Sequence, residues 1–425
     1  MKSALRAVVA TALAVLSAQP LVAQDSASVH RAENERLGYG ELRPGADGND
    51  PDAPNAANFD EDRVGNLSVP SLFRDDNGAA EGWSARRAEL ARLIENEWVG
   101  RVPESAREIE IVWTKQEVDD GDQWLGQLMR PGYPMGPTID ARLSLPPQAR
   151  RAGSRPVPVV IEYSYIWPPD FRFPGPPAPS LREAALARGW GHVAYRPTLL
   201  QADDTALLSQ GLIGMTAWPR GEHDWGALRA WAWGASRLRE ALAADPLIDG
   251  SRIVLAGHSR FGKAVLVAAA FDHEFADALV SSSGAGGAKL MRRDFGERLE
   301  NMADPYASVW YAPRIKHYAG NASLEQWPVD AHMLIALRAP RPLLISTGTV
   351  AQGDGWTDPA GQWQATLLAR AAWRATGADT FPDEARPQPG HGPLETPLAF
   401  YQHAEGHVMW PAFEALFNHT ERFTR

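Results

Sequence analysis

The sequence contains no cysteine among its 425 residues. This absence excludes disulfide bonds, a thiolate nucleophile and metal sites built from cysteine ligands. The folded chain must therefore be held together by its packed core. A chain of this length can build such a core, because the fraction of surface that is buried on folding rises with size.

Long apolar runs and basic runs are also scarce. Beyond the first 23 residues, no stretch approaches the roughly 20 apolar residues that a membrane span needs. The 42 lysine and arginine residues are outnumbered by 52 aspartate and glutamate residues, which gives a formal net charge of −10. A surface with this excess of negative charge repels the phosphates of nucleic acids. We therefore expect neither a membrane span nor a nucleic-acid partner.

The chain divides into three regions by composition. Residues 1–23 have the features of a secretory signal peptide, with Lys2 and Arg6 before a short apolar run and a small-residue cleavage site near Ala23. Residues 24–80 are rich in Asp, Asn, Gly and Pro and are predicted to form an extended N-terminal arm. Residues 81–425 are predicted to form a single catalytic domain. We expect a monomer that is exported to the periplasm or the medium.

Continuously apolar segments alternate with helical patterns over most of the chain. This arrangement predicts a mostly parallel central sheet with helices on both faces, a three-layer α/β sandwich. The predicted strands are 109–114, 141–145, 157–165, 192–195, 253–256, 278–281, 342–346 and 398–401. The predicted helices are 84–99, 225–243 with Asp224 as N-cap, 264–270 and 410–417. Ligands of such sheets bind beyond the carboxyl ends of the strands.

The segment 253–263 carries the strongest pattern in the chain. Four apolar residues lead into Gly257, then Ser259 and a helix-forming stretch, which is the strand–turn–helix order of a nucleophile elbow. The sequence here is G-H-S-R-F-G-K, so the second glycine is Gly262, one position later than in G-x-S-x-G. We predict that Ser259 is the nucleophile of an α/β-hydrolase fold. The alternative is a buried strand followed by an ordinary serine N-cap.

A serine hydroxyl needs a histidine base, and in this architecture the chain order is serine, acid, histidine. His407 follows the predicted last strand in a loop with Gly406 and precedes the final helix, so it is the favoured base. His403 is its main competitor. The spacing of four between these histidines is typical of metal ligands on a helix, but Gly406 argues against a helix. We expect no metal and no other cofactor.

The acid that orients the histidine is expected in the loop after strand 342–346. Asp354 and Asp358 both qualify by position. Asp354 is slightly favoured because it lies closer to the end of the strand. Asp358 precedes a proline, which is common for an aspartate that only stabilises a turn.

With these residues in place, the chain resembles the glucuronoyl esterases of carbohydrate esterase family 15 from about Trp83 to its C-terminus. Segment 257–263 matches the family motif G-x-S-R-x-G-K, and segment 354–359 is similar to its D-x-W-x-D-P loop. The helix pattern at 225–236 and the S-G-A-G-G block at 283–287, followed by 292–297, also resemble the family. The resemblance implies the α/β-hydrolase fold.

The resemblance also implies a role for each matching residue. Ser259 would be the nucleophile, His407 the base and Asp354 the orienting acid, while Arg260 would stabilise the oxyanion through its backbone N–H and its guanidinium. Many family members carry an acidic residue just before the S-G-x-G-G block. Here that position is Ser282, so the resemblance favours the later acid, Asp354.

Three further matches imply a site for the sugar. Lys263, Glu297 and Trp356 would hold the hydroxyl groups of the uronic acid. Lys263 lies one helical turn after Ser259, so its ammonium group can reach a sugar bound at the nucleophile. Taken alone, Lys263 could be a solvated helix lysine and Glu297 a helix-capping carboxylate. Trp356 lies in a loop rich in Gly and Asp and not on an apolar stripe, so it is less easily explained as a core residue.

The resemblance implies hydrolysis of (4-O-methyl-)glucuronic acid esters that link glucuronoxylan to lignin alcohols. One alternative keeps the fold and changes the substrate to an acetyl ester of xylan or to another carbohydrate ester. A second alternative is a secreted carbohydrate-binding protein without catalysis. The sugar-binding residues argue against the first, and the complete set of serine, acid and histidine argues against the second.

Overall fold

The computed structural model describes residues 25–65, 68–74, 82–119, 121–165, 178–382 and 385–424. The predicted signal peptide lies outside these residues. In the described part of the chain, no helix is both long and apolar enough to cross a membrane.

A nine-stranded sheet forms the centre of the molecule, with strand order β1-β2-β3-β5-β4-β6-β7-β8-β9. The strands are β1 Glu110–Val118, β2 Gly121–Met129, β3 Thr138–Ser144, β4 Val157–Tyr163, β5 Gly191–Tyr195, β6 Ile248–His258, β7 Ala278–Ser281, β8 Leu343–Thr347 and β9 Leu398–Gln402. β1, β2, β3 and β5 pair antiparallel, and every pair from β5 through β4 to β9 is parallel. The prediction of a mostly parallel α/β sheet is confirmed.

Eleven α-helices accompany the sheet in the described residues. They are α1 Ser26–Leu37, α2 Trp83–Ile94, α3 Leu181–Ala187, α4 Gly211–Thr216, α5 Ala227–Ala243, α6 Arg260–Phe271, α7 Leu299–Ala303, α8 Ile315–Ala319, α9 Ala331–Ala336, α10 Pro359–Ala375 and α11 Phe413–Phe423. A π-helical turn, Glu95–Val99, continues α2. The predicted helices are confirmed, with shifted ends.

Each central strand contributes to two hydrophobic cores because alternate side chains of a strand point to opposite faces. Ile161 and Leu255 pack into the larger core, which also contains the apolar faces of α5, α6, α9 and α10. Val160 and Val254 pack into the smaller core with α3 and α11. The sheet is therefore covered on both faces, as predicted for buried parallel strands.

Two predictions differ from the structure. The N-terminal arm is not extended throughout, because Ser26–Leu37 is a helix in which Asp25 caps the N-terminus and Gly38 ends it in the left-handed region. This helix is stabilised by tertiary contacts, since the buried Glu33 pairs with Arg220 and Lys316.

The second difference lies at the start of α5, whose N-cap is Gly226 and not Asp224. A Cβ at Gly226 would lie 2.2 Å from the carbonyl oxygen of Trp310, so this position must be glycine for the chain to pass. Asp224 accepts a hydrogen bond of 2.6 Å from the backbone N–H of Gly221, outside the helix. The packing of two loops has therefore set the helix boundary.

Candidate active site

The turn between β6 and α6 has the geometry of a nucleophile elbow. Ser259 has φ 57° and ψ −127°, a strained conformation for a residue with a side chain. Its backbone N–H donates to the carbonyl oxygen of Ser281 at 2.9 Å. A Cβ at Gly257 would lie 2.4 Å from the carbonyl oxygen of Phe261, and one at Gly262 would lie 2.8 Å from that of Ser281. Both glycines are thus required by close backbone approach, which explains the shifted spacing of the motif.

Asp354 is fully buried, and its carboxylate takes part in four hydrogen bonds. Its Oδ1 lies 2.7 Å from His407 Nδ1 and accepts from the hydroxyl of Thr357 at 2.9 Å. Its Oδ2 accepts from the hydroxyl of Ser282 at 2.8 Å and from the backbone N–H of Gly348 at 2.7 Å. A carboxylate held by this many donors keeps one orientation, and it holds the imidazole of His407 with Nδ1 toward it.

The other candidate acid, Asp358, lies elsewhere in the structure. Its Oδ2 accepts from Arg293 Nε at 2.8 Å, and its Oδ1 accepts from the backbone N–H of Gly361 at 2.9 Å. It is the N-cap of α10 and is fully buried. Asp358 therefore caps a helix and pairs with a buried arginine, away from His407.

The competing histidine, His403, is buried and does not line the cavity that contains Ser259. Burial lowers the pKa of its imidazole, so the neutral form is favoured. His407, by contrast, has a side chain that is 37% exposed and lines the cavity together with Ser259. Among the residues that the structure describes, no group of three or more histidine, aspartate or glutamate side chains is placed to hold a metal ion.

His258, the residue before the nucleophile, packs against His407 with ring centroids 4.3 Å apart. Burial and the neighbouring His407 lower the pKa of His258 to about 3. Its Nδ1 lies 3.1 Å from the hydroxyl of Ser281. The ring of His258 is therefore uncharged near neutral pH where it packs against His407.

Arg260 is held beside the cavity by a carboxylate and three aromatic rings. Its Nη1 donates to Asp203 Oδ2 at 2.6 Å, and Asp203 Oδ1 accepts from the indole N–H of Trp310 at 2.5 Å. The guanidinium carbon lies 5.3 to 6.0 Å from the ring centroids of Trp310, Tyr306 and Tyr165. Burial lowers the pKa of Arg260, but Asp203 outweighs it and the pKa is raised. No motif in the sequence pointed to Asp203.

Lys263 and Glu297 form a buried ion pair at the base of the same cavity. Lys263 Nζ lies 3.0 and 3.1 Å from the two carboxylate oxygens of Glu297 and donates to the carbonyl oxygen of Ala285 at 2.5 Å. The backbone N–H of Ala285 donates to Glu297 at 3.0 Å. Burial lowers the pKa of Lys263, and the carboxylate of Glu297 acts against that shift. Both residues line the cavity.

The cavity has a volume of about 180 Å³ and brings together six of the seven predicted site residues. These are Ser259, Arg260, Lys263, Glu297, Trp356 and His407. Asp354, the seventh, does not line the cavity but contacts Nδ1 of His407. Asn301, Asp304 and Trp310 also line the cavity, although the sequence did not single them out.

The chain is similar to known proteins over most of its length. A family model described as "Glucuronyl esterase, fungi" matches residues 138–377. A carbohydrate esterase from an unknown prokaryotic organism is 30% identical over 389 residues, which cover 80% of this chain and 86% of that protein. A 4-O-methyl-glucuronoyl methylesterase of Podospora anserina is 34% identical over 169 residues, and the match spans 34% of that longer protein.

Solved structures of CE15 esterases are similar to this chain over most of its length. A CE15 glucuronoyl esterase from Teredinibacter turnerae superposes with a TM-score of 0.83 and 37% identity, covering 93% of this chain and 99% of that one. A promiscuous CE15 esterase from a marine bacterial metagenome has a TM-score of 0.71 and 25% identity, covering 86% and 100%. The chain therefore belongs to carbohydrate esterase family 15, the glucuronoyl esterases.

Proposed function

We propose that this protein hydrolyses esters of (4-O-methyl-)glucuronic acid that join glucuronoxylan to lignin alcohols. The observation that supports this most is one small cavity that contains Ser259, His407 and the buried pair Lys263–Glu297. An esterase for simple acetyl groups has no use for a buried cation and carboxylate beside its nucleophile. A uronic acid offers hydroxyl groups to both.

In the proposed reaction, the Ser259 hydroxyl oxygen attacks the C6 carbonyl carbon of the glucuronoyl ester while His407 takes the hydroxyl proton. Asp354 stabilises the imidazolium that forms, through the contact of 2.7 Å at Nδ1. The carbonyl oxygen becomes an oxyanion, which Arg260 stabilises through its guanidinium and its backbone N–H at the start of α6. The tetrahedral intermediate collapses as the C–O bond to the alcohol breaks, and His407 returns the proton to the alcohol.

In the second half-reaction, water is the nucleophile and Ser259 is the leaving group. His407 takes a proton from water, whose oxygen attacks the glucuronoyl-enzyme carbonyl. The bond to Ser259 then breaks and the serine regains its proton. The product is glucuronic acid, which loses its carboxyl proton to solvent and is released as a carboxylate beside the cations Arg260 and Lys263; the alcohol has left in the first half-reaction.

The decisive experiment replaces Ser259 with alanine and measures hydrolysis of a benzyl glucuronate ester. Activity should fall to the uncatalysed level, and labelling of the wild-type protein by a fluorophosphonate should be lost in the variant. Retained activity would exclude Ser259 as the nucleophile.

In parallel, the wild type should hydrolyse a methyl glucuronate ester far faster than an acetylated xylan oligomer. The reverse preference would point to an acetyl esterase.

We further propose that the protein is exported and acts as a monomer. The first 23 residues supply the signal that supports export. Expression of the full chain should release a protein that lacks these residues outside the cytoplasm, as N-terminal sequencing would show. Light scattering on the purified protein should give a mass close to that of one chain.

A further inference from the structure

The nucleophile elbow and the loop that carries His407 meet at one side chain, that of His258. This residue is the last of β6 and directly precedes Ser259. The centroid of its ring lies 4.3 Å from that of His407, with an angle of 49° between the two ring planes. His258 is therefore joined to Ser259 by a peptide bond and touches His407 through its ring.

Ser281, on the neighbouring strand β7, holds His258 in place. The two residues are paired in the parallel register of β6 and β7, and the buried hydroxyl of Ser281 lies 3.1 Å from His258 Nδ1. The carbonyl oxygen of Ser281 accepts from the backbone N–H of Ser259 at 2.9 Å. The hydroxyl of Tyr165 donates to the carbonyl oxygen of His258 at 3.4 Å. One strand thus fixes both the backbone of Ser259 and the ring of His258.

The imidazole of His407 needs more than one contact to keep a single orientation. Asp354 lies 2.7 Å from Nδ1, but a hydrogen bond to one ring nitrogen tolerates tilting of the ring, because its angle can vary by tens of degrees. The side chain of His407 is also 37% exposed, so solvent leaves part of it unsupported. A contact at the ring itself limits the tilt. Proton transfer depends on this alignment, because small displacements of a catalytic group reduce the rate strongly.

We propose that His258 is a positioning residue that holds the imidazole of His407 with Nε2 directed toward Ser259. The proposal rests on the proposed function, since it takes Ser259 as the nucleophile and His407 as the base. The ring of His258 is uncharged near neutral pH, so it does not repel the imidazolium that forms when His407 takes the serine proton. Because the ring makes the contact with His407, a different ring at position 258 should preserve the effect.

Three variants of His258 separate the ring contact from the contact with Ser281. His258→Phe keeps a ring and loses the polar contact, His258→Asn keeps a polar group and loses the ring, and His258→Ala loses both. We expect the Ala and Asn variants to lower kcat on methyl glucuronate by about 10- to 100-fold and to leave KM within about twofold. The Phe variant should keep kcat within about threefold of the wild type.

Stability should follow the polar contact and not the ring. The buried hydroxyl of Ser281 loses a partner in the Phe and Ala variants, so their urea midpoints should lie below that of the Asn variant. The rate at which a fluorophosphonate labels Ser259 should follow kcat across the three variants, because labelling also needs the base. The matched control is His332→Ala, which removes another buried imidazole whose Nε2 lies 3.0 Å from the carbonyl oxygen of Pro70. It should leave kcat unchanged.

A double variant tests whether His258 acts through His407. Adding His258→Ala to His407→Ala should lower the residual rate by less than about twofold, since the group being positioned is already absent. A full further loss in this background would overturn the proposal, and so would wild-type kcat in His258→Ala. If kcat follows the urea midpoint instead of the ring, His258 only stabilises the elbow.

The labelling rates distinguish failure of this proposal from failure of the proposed function. A wild type that is labelled at Ser259 but does not hydrolyse methyl glucuronate would contradict the proposed substrate alone. The labelling rates of the His258 variants would then decide the positioning role, with slower labelling in Ala and Asn than in Phe as the supporting result. A wild type that is not labelled would remove Ser259 as the nucleophile and overturn the role of His258 with it.

Discussion

Asp203 holds the guanidinium of Arg260 with a hydrogen bond of 2.6 Å while its second oxygen accepts from the indole N–H of Trp310. The two residues are 57 positions apart, on a loop and at the start of α6. A long arginine side chain has many rotamers, and this contact selects one of them. Asp203 is therefore a positioning residue for the group proposed to stabilise the oxyanion.

We predict that Asp203→Asn lowers kcat on methyl glucuronate by about 10- to 100-fold and leaves KM within about twofold. The reason is that a misplaced oxyanion donor weakens transition-state binding and hardly changes ground-state binding. Steady-state kinetics would measure this split. Combining the variant with Arg260→Ala should cost little more than Arg260→Ala alone.

The neighbouring Asp204 provides a matched control, because its carboxylate accepts from Ser26 on the arm at 2.7 Å and not from Arg260. Asp204→Asn should leave kcat unchanged. An equal loss of kcat in both variants would mean that the loop is merely destabilised, and the positioning role of Asp203 would be wrong.

Substitutions of the two aspartates in the 354–358 loop should affect different properties. Replacing Asp354 should mainly reduce activity, whereas replacing Asp358 should mainly reduce stability. Asp354→Asn should reduce kcat by about 10³ to 10⁴, because an amide no longer holds His407 in the productive tautomer. Asp358→Asn should keep most of the activity per folded molecule but lower the free energy of unfolding by about 3–5 kcal/mol, since Arg293 loses its buried partner. Kinetics and urea unfolding would be measured on both variants. The opposite pattern would make Asp358 the catalytic acid.

Replacing Glu297 should offset much of the stability that is lost when Lys263 is replaced, but it should not restore substrate binding. Lys263→Met leaves the Glu297 carboxylate buried without a cation, which should cost about 3–5 kcal/mol. Adding Glu297→Gln removes that charge and should restore much of the stability. Both variants should nevertheless show KM for methyl glucuronate raised at least tenfold. If the double variant binds substrate normally, the pair is structural and does not contact the sugar.

Acidification should destabilise the arm through His30. Burial and the nearby Lys316 lower the pKa of His30 to about 4, against about 6.5 in the unfolded chain. Above pH 6.5 both states are neutral at this residue, and the histidine has no effect on the pH dependence of stability. Between pH 6.5 and 4 the unfolded state binds the proton first, so stability falls by on the order of 1 kcal/mol per pH unit.

The measurement compares wild type with His30→Gln by urea unfolding at several pH values. Glutamine cannot take up the proton, so the variant should lose stability less steeply between pH 6.5 and 4. The absolute stability of the variant at pH 8 is a separate quantity, because His30 donates a hydrogen bond of 2.7 Å to the carbonyl oxygen of Ala303. Identical slopes for the two proteins would show that His30 does not titrate as its surroundings imply.

The amino-acid pattern predicted the central strands well because their signals are local. Strand 278–281 was predicted with its observed ends, and the elbow was recognised from its glycines and its apolar lead-in. Strand β2 was missed, since its residues alternate between buried and half-buried and show no continuous apolar run. Its buried Asp122 is paired with Lys115 and Arg150. Because both partners lie outside the strand in the sequence, the pairing leaves no pattern within β2.

By itself, the sequence determined the fold class and predicted Ser259 as the nucleophile and the loop that carries the base, because turns, strand periodicity and chain order are encoded within a few residues. Only the tertiary structure decided that Asp354 contacts His407 while Asp358 pairs with Arg293, that Asp203 positions Arg260, and that the N-terminal arm lines a cavity beside Trp356. Each of these depends on contacts between segments more than 50 residues apart. Such contacts are selected by packing and by the pairing of buried charges, which a linear pattern does not record.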